Sequence, residues 1–215
     1  MSAVGVFGGT FDPVHYGHLR AALEVRQALG LAEVRFVPTA DPPHRGAPAL
    51  PAAARLSLVD TAIADEPGFT LDDRELRRPG PSFTVDTLTE LRAELGPRVP
   101  LCLLLGADAF AGLATWQRWQ ELPALAHLVL VHRAGEALPV PPDLDGLLQA
   151  RWTEDAAALR REPAGRVMQV AMTPLAISAT AIRQALATGR DPRYLLPDAV
   201  LARIRREGWY LHDAI

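Results

Sequence analysis

Short apolar runs alternate along this chain with stretches whose apolar residues recur every three or four positions. Val4–Phe7, Glu33–Pro38, Phe69–Asp72, Val99–Leu105, His127–His132 and Val167–Met172 read as strands. The run through Leu101–Leu105 is the most apolar, which predicts a central position in a sheet. Helical spacing appears in Leu19, Ala22, Leu23, Val25 and Leu29 before Gly30, and in Leu56, Val59 and Ile63 of a helix spanning 51–64. It returns in Val85, Leu88, Leu91 and Leu95, in Ile182 and Leu186, and in Val200, Leu201 and Ile204 before Gly208. Strand–helix alternation of this kind predicts an α/β protein with a parallel sheet and right-handed crossovers. Three charged or proline-rich stretches read differently. Asp73–Arg78 is expected to be a solvated surface, Glu136–Asp145 an exposed loop, and Thr153–Glu162 a charged helical run without an assigned function.

Composition narrows the field. The chain has 215 residues, enough for one domain with a buried core. A net charge of −3 gives no basic field that would invite nucleic acid. No apolar run approaches the ~20 residues of a membrane span. The first strand begins almost at once, which leaves no room for a signal peptide. Cys102, the one cysteine, lies inside the apolar run and is expected to be an inert core residue, so a cytoplasmic setting is expected. All 22 residues in the basic count are arginine.

The chemistry concentrates in Val4–His18. A buried strand leads to Gly8 and Gly9, where the backbone is expected to turn and approach a ligand without a Cβ in the way. A helix starts just beyond, and its first amides are suited to an anion. His15 and His18 stand three apart at that helix start and can donate to phosphate oxygens whose charge grows during a reaction. A metal site formed by this pair with Asp12 is the weaker alternative. Far downstream, Ser178 is placed to cap a helix on which Thr180 and Arg183 share a face, a second phosphate site.

Gly9-Thr10-Phe11-Asp12-Pro13-Val14-His15-Tyr16-Gly17-His18 resembles the T/HxGH signature of the nucleotidylyltransferase superfamily. The remaining motifs resemble those of bacterial nicotinate-nucleotide adenylyltransferases in the same order: PPHR at 42–45, SFTVDTL at 82–88, GAD at 106–108, TW at 115–116, HRAG at 132–135 and ISATAIR at 177–183. The resemblance implies a single Rossmann-like, doubly wound parallel-sheet domain over 1–215, with a small helical C-terminal part from about 178. It implies adenylyl transfer from ATP, carried with Mg²⁺, to nicotinate mononucleotide, releasing pyrophosphate.

His15 and His18 would be catalytic. Gly8, Gly9, Thr10, Phe11, His18, Gly106, Asp108, Ile177, Ser178, Thr180 and Arg183 would hold ATP. His44, Arg45, Ser82, Thr84, Trp116, Gln117 and Arg133 would hold the mononucleotide, with Trp116 stacking on its pyridine ring. Each has a plainer reading: capping for Ser82, Thr84 and Asp108, a solvated turn for PPHR, core packing for the tryptophans. Acceptance of nicotinamide mononucleotide or phosphopantetheine instead, or a regulator that has lost catalysis, are the rival functions. A homo-oligomer is compatible with the sequence, which does not specify one.

Overall fold

The structure, a computed structural model, describes residues 2–41, 46–133, 135 and 139–211. Six strands, β1 (Val4–Gly9), β2 (Glu33–Pro38), β3 (Phe69–Leu71), β4 (Leu101–Gly106), β5 (His127–Arg133) and β6 (Val167–Met172), form one sheet in the order β3-β2-β1-β4-β5-β6. Every pairing is parallel. This is the doubly wound order, and its switch point lies between β1 and β4.

The helices are α1 (Tyr16–Leu29), α2 (Ala52–Ile63), α3 (Arg74–Arg77), α4 (Thr84–Leu95), α5 (Ala107–Ala111), α6 (Leu122–Leu125), α7 (Pro142–Leu148), α8 (Ala158–Arg161), α9 (Ala179–Ala187) and α10 (Asp198–Glu207). Alternation along the strands divides the core in two. Cys102 and Leu104 face one layer with α1, α2, α9 and α10, while Leu101, Leu103 and Leu105 face another with α4 and α7. The helical C-terminal part therefore belongs to the first layer and closes over the β1–α1 side of the sheet. Cys102 is fully buried, and burial pushes its thiol up to about 12, as expected of an inert core residue.

Several expectations need correction. Pro142–Leu148 is a helix with Leu144 and Leu148 fully buried, not part of an exposed loop. Of the charged run from Thr153, only Ala158–Arg161 is helical; Thr153 instead donates to the Val167 carbonyl beside β6. Arg74 and Glu75 are buried, because Arg74 forks onto Asp72 and Glu75 receives the Thr87 hydroxyl. On α2 the buried stripe is Arg55, Leu58, Val59 and Ile63; Leu56 is only partly covered.

Candidate active site

Gly8 and Gly9 do not make the turn after β1. Both remain in the strand, paired with Val37 and Pro38. The chain reverses instead at Phe11, whose φ is 49°, and at the cis Asp12–Pro13 bond. The glycines matter for space: a Cβ on Gly9 would stand 2.9 Å from the Phe11 ring, and Gly8 faces open space.

His15 is the N-cap of α1 and His18 its N3 residue, an arrangement that resembles a capping box. The His15 N–H donates to His18 Nδ1 at 3.3 Å, so a neutral His18 carries its proton on Nε2. The two rings stack with centroids 3.7 Å apart, and His18 also meets the Phe11 ring edge-on at 5.1 Å. His15 is buried, and desolvation holds it down at about 4, so it is uncharged at neutral pH. Its Nδ1 is buried without a hydrogen-bond partner among the described residues. Gly17 suits the same packing, because a Cβ there would lie 3.0 Å from the His15 ring, tighter than ordinary contact.

The second motif reaches the first. Ser178 caps α9 as expected, its hydroxyl accepting from the Ala181 amide at 3.2 Å. Arg183 Nη1 donates to the Asp12 carbonyl at 2.7 Å, and its Nη2 donates to Thr180 Oγ1 at 3.4 Å. Ile177, half-buried, packs against the core beneath, with its carbonyl 3.7 Å from where a Gly17 Cβ would be. The Arg183–Asp12 bond thus joins the second motif to the loop that carries the His pair, at the strand ends above the switch point.

Two groups absent from the sequence reading hold this loop. Arg55 is fully buried and donates to the carbonyls of Leu50, Thr10, Thr39 and Ala40. It binds the loop after β1 to the loop after β2. The signal was available, since Arg55 falls on the apolar stripe of α2, and a charge on a buried stripe is the informative exception. Tyr210 donates to Asp12 Oδ1 at 2.6 Å, while Asp12 Oδ2 accepts from the Ala49 amide at 2.7 Å. Both carboxylate oxygens are therefore engaged by protein, which argues against Asp12 as a metal ligand. Nothing near Tyr210 in sequence announced its role.

The other motifs line the same edge. Asp108 lies exposed in the first turn of α5 after β4, with Gly106 rather than Asp108 at the cap. Thr84 opens α4, whose N-cap Phe83 supplies no side-chain bond. Ser82 is not that cap: its hydroxyl accepts from the Ala40 amide at 3.1 Å and the Asp41 amide at 3.4 Å. Trp116 is half-buried and Gln117 exposed in a turn held beside α4 by Arg118, whose Nη2 donates to Asp86 at 3.0 Å. Trp119 is likewise half-buried against the core. Arg133 stands exposed at the end of β5. His44 and Arg45 lie outside the described residues.

Known proteins resemble this chain in sequence and in fold. The Cytidylyltransferase-like family model matches residues 6–185. A probable nicotinate-nucleotide adenylyltransferase of Halorhodospira halophila is 50% identical over 210 residues, 98% of this chain and 96% of the relative. One from Pseudomonas syringae pv. tomato is 51% identical, covering 96% of this chain and 93% of its own. The fold is similar to that of Plasmodium falciparum nicotinic acid mononucleotide adenylyltransferase complexed with NaAD (TM-score 0.74, 16% identity, 98% of both chains). With the family model matching residues 6–185 and half of all aligned positions shared with these relatives, the chain belongs to the cytidylyltransferase-like family and, within it, to the nicotinate-nucleotide adenylyltransferases.

Proposed function

We propose that this chain, working as one catalytic domain, transfers the adenylyl group of ATP to nicotinate mononucleotide, giving nicotinate adenine dinucleotide and pyrophosphate. The observation that carries this reading is the Arg183–Asp12 bond, which sets the ISATAIR segment against the GTFDPVHYGH segment across 171 positions of chain. The reading is supported by relatives of that name over nearly the full length.

The mononucleotide's 5′-phosphate is already anionic at neutral pH, so no general base is needed. Its oxygen bonds to the α-phosphorus as the bond to the leaving pyrophosphate breaks. The enzyme's task is to align two anions and stabilise the charge that develops between them. His18, with its proton on Nε2, and His15 donate to the α-phosphate. Because His15 is uncharged, it contributes a dipole and not a cation. Gly8, Gly9, Thr10 and Phe11 border the triphosphate, with Ile177, Ser178, Thr180 and Arg183 on its far side.

Mg²⁺ arrives with ATP. Among the described residues no cluster of three or more His, Cys, Asp or Glu side chains forms a metal cage. The exposed Asp108 carboxylate would be the side chain to hold the ion, which would neutralise phosphate charge. Asp108 and Gly106 also suit the ribose. Thr84 and the amides of α4 receive the nicotinate carboxylate, Trp116 stacks on the pyridine, Gln117 helps hold the carboxylate, and Arg133 meets the mononucleotide phosphate. His44 and Arg45 add positive character from the loop after β2. Cys102 as a free, buried thiol accords with a cytoplasmic setting, and among the described residues no helix is long and apolar enough to cross a membrane.

Pyrophosphate release measured with ATP, Mg²⁺ and, in parallel, nicotinate mononucleotide, its amide and phosphopantetheine tests the reading. Turnover should be fastest with the acid. Preference for either other acceptor moves the assignment to that substrate, and silence with all three removes the enzyme.

A further inference from the structure

Ser82, Thr87 and Glu75 form a buried polar cluster beneath the first turn of α4, each less than 9% exposed. Their protons can be assigned by counting. The Ser82 oxygen accepts from the amides of Ala40 and Asp41, which uses both lone pairs and leaves its own proton to donate. That hydroxyl lies near the Glu75 carboxyl and helps hold its proton affinity down, without a complete hydrogen bond between them. Thr87 Oγ1 accepts from Arg78 Nη2 at 3.1 Å and donates to Glu75 Oε1 at 2.6 Å. Glu75 thus accepts the Thr87 proton and lies beside the Ser82 hydroxyl. Its Oε2 is buried without a geometrically complete bond. Burial raises its proton affinity, and the two hydroxyls and nearby Arg78 oppose that rise.

We propose that Glu75 is a positioning residue for the mononucleotide subsite. By accepting the Thr87 proton next to Ser82, it fixes the start of α4, where Thr84 stands, beside the loop after β2 that Ser82 holds. Ser82 then serves the substrate through the backbone it holds, and its hydroxyl is not a ligand. This rests on the reading that Thr84 and its neighbouring amides receive the nicotinate carboxylate. Glutamine is nearly isosteric but cannot replace Glu75. Its amide nitrogen would face a hydroxyl whose lone pairs are already taken.

The test is steady-state kinetics of wild type, Glu75→Gln and Ser82→Ala, with nicotinate mononucleotide and with its amide, alongside thermal melts. In Glu75→Gln the KM for the acid should rise about tenfold, the value of one hydrogen bond to a charged group. The KM for ATP and kcat should stay within about twofold, and the preference for acid over amide should fall. Ser82→Ala should show the same pattern more weakly, and it decides the matter alone if Glu75→Gln does not fold. A rise in both substrates' KM together, or an unchanged acid KM in a folded variant, overturns the inference. If wild type itself fails to use the acid, the functional reading falls and takes this inference with it. If wild type is active while both variants match it, only the inference falls.

Discussion

At the edge of the sheet where the strands begin, the Arg92 guanidinium donates to the carbonyls of Val99, Leu125 and Pro163, which precede β4, β5 and β6. At the edge where they end, Arg55 does the same for Leu50, Thr10, Thr39 and Ala40. Each arginine satisfies loop carbonyls that no ladder can reach. The two edges differ in what stands beside the clamp. Next to Arg92, both ring nitrogens of His127 are used: Nε2 bonds the Glu162 carbonyl at 2.9 Å and Nδ1 accepts from Arg166 N at 3.0 Å. On the edge that Arg55 holds, His15 keeps a nitrogen without a partner among the described residues, and Gly8 faces open space. One edge is a closed joint. The other holds its backbone from behind and keeps its chemistry in front.

The largest effect that tests this contrast is on the open edge. His18→Ala should lower kcat by about 100-fold or more, the usual loss for one donor to a developing charge, with little change in melting temperature. Normal turnover would remove His18 from the reaction. Next come the clamps themselves. Arg55→Met and Arg92→Met each strand several carbonyls, at a cost of about 2–5 kcal/mol, so both should lower the melting temperature clearly. Only Arg55→Met should also reduce kcat/KM, by about tenfold, because only its carbonyls belong to the site loops. Equal kinetic losses would show that the edges are not functionally distinct.

The smallest effect concerns pH. Burial holds the proton affinities of both His15 and His127 below the ordinary histidine range. The unfolded chain therefore takes up protons near pH 6.5 that the folded chain refuses, and stability falls as pH drops from there towards about 4, where His15 begins to titrate. His15 accounts for at most about 3 kcal/mol of that loss. His127→Gln can keep both bonds without titrating, so it should flatten the slope while leaving turnover unchanged. An unaltered slope in acid denaturation curves would exclude His127 as a contributor.

The sheet was legible because its signals are local. Alternating periods placed all six strands and the four longest helices, and Gly30, Ser178 and Gly208 mark helix ends where the sequence suggested them. The site motifs were legible as segments. Their junction was not, because the Arg183–Asp12 and Tyr210–Asp12 bonds join residues 171 and 198 positions apart. The charged run Asp73–Arg78 misled for a related reason. Arg74 is buried because Asp72 and Glu94 neutralise it, and Glu75 because distant hydroxyls do. The turn after β1 misled because Phe11, and not a glycine, takes the left-handed conformation.

A crystal structure of this chain with nicotinate adenine dinucleotide tests the central claim most directly. The account predicts the adenylyl phosphate within hydrogen-bond reach of His18 Nε2, Arg183 on the phosphate side of the cleft and the pyridine ring against Trp116. A dinucleotide bound with its phosphates away from both His18 and Arg183 would contradict it.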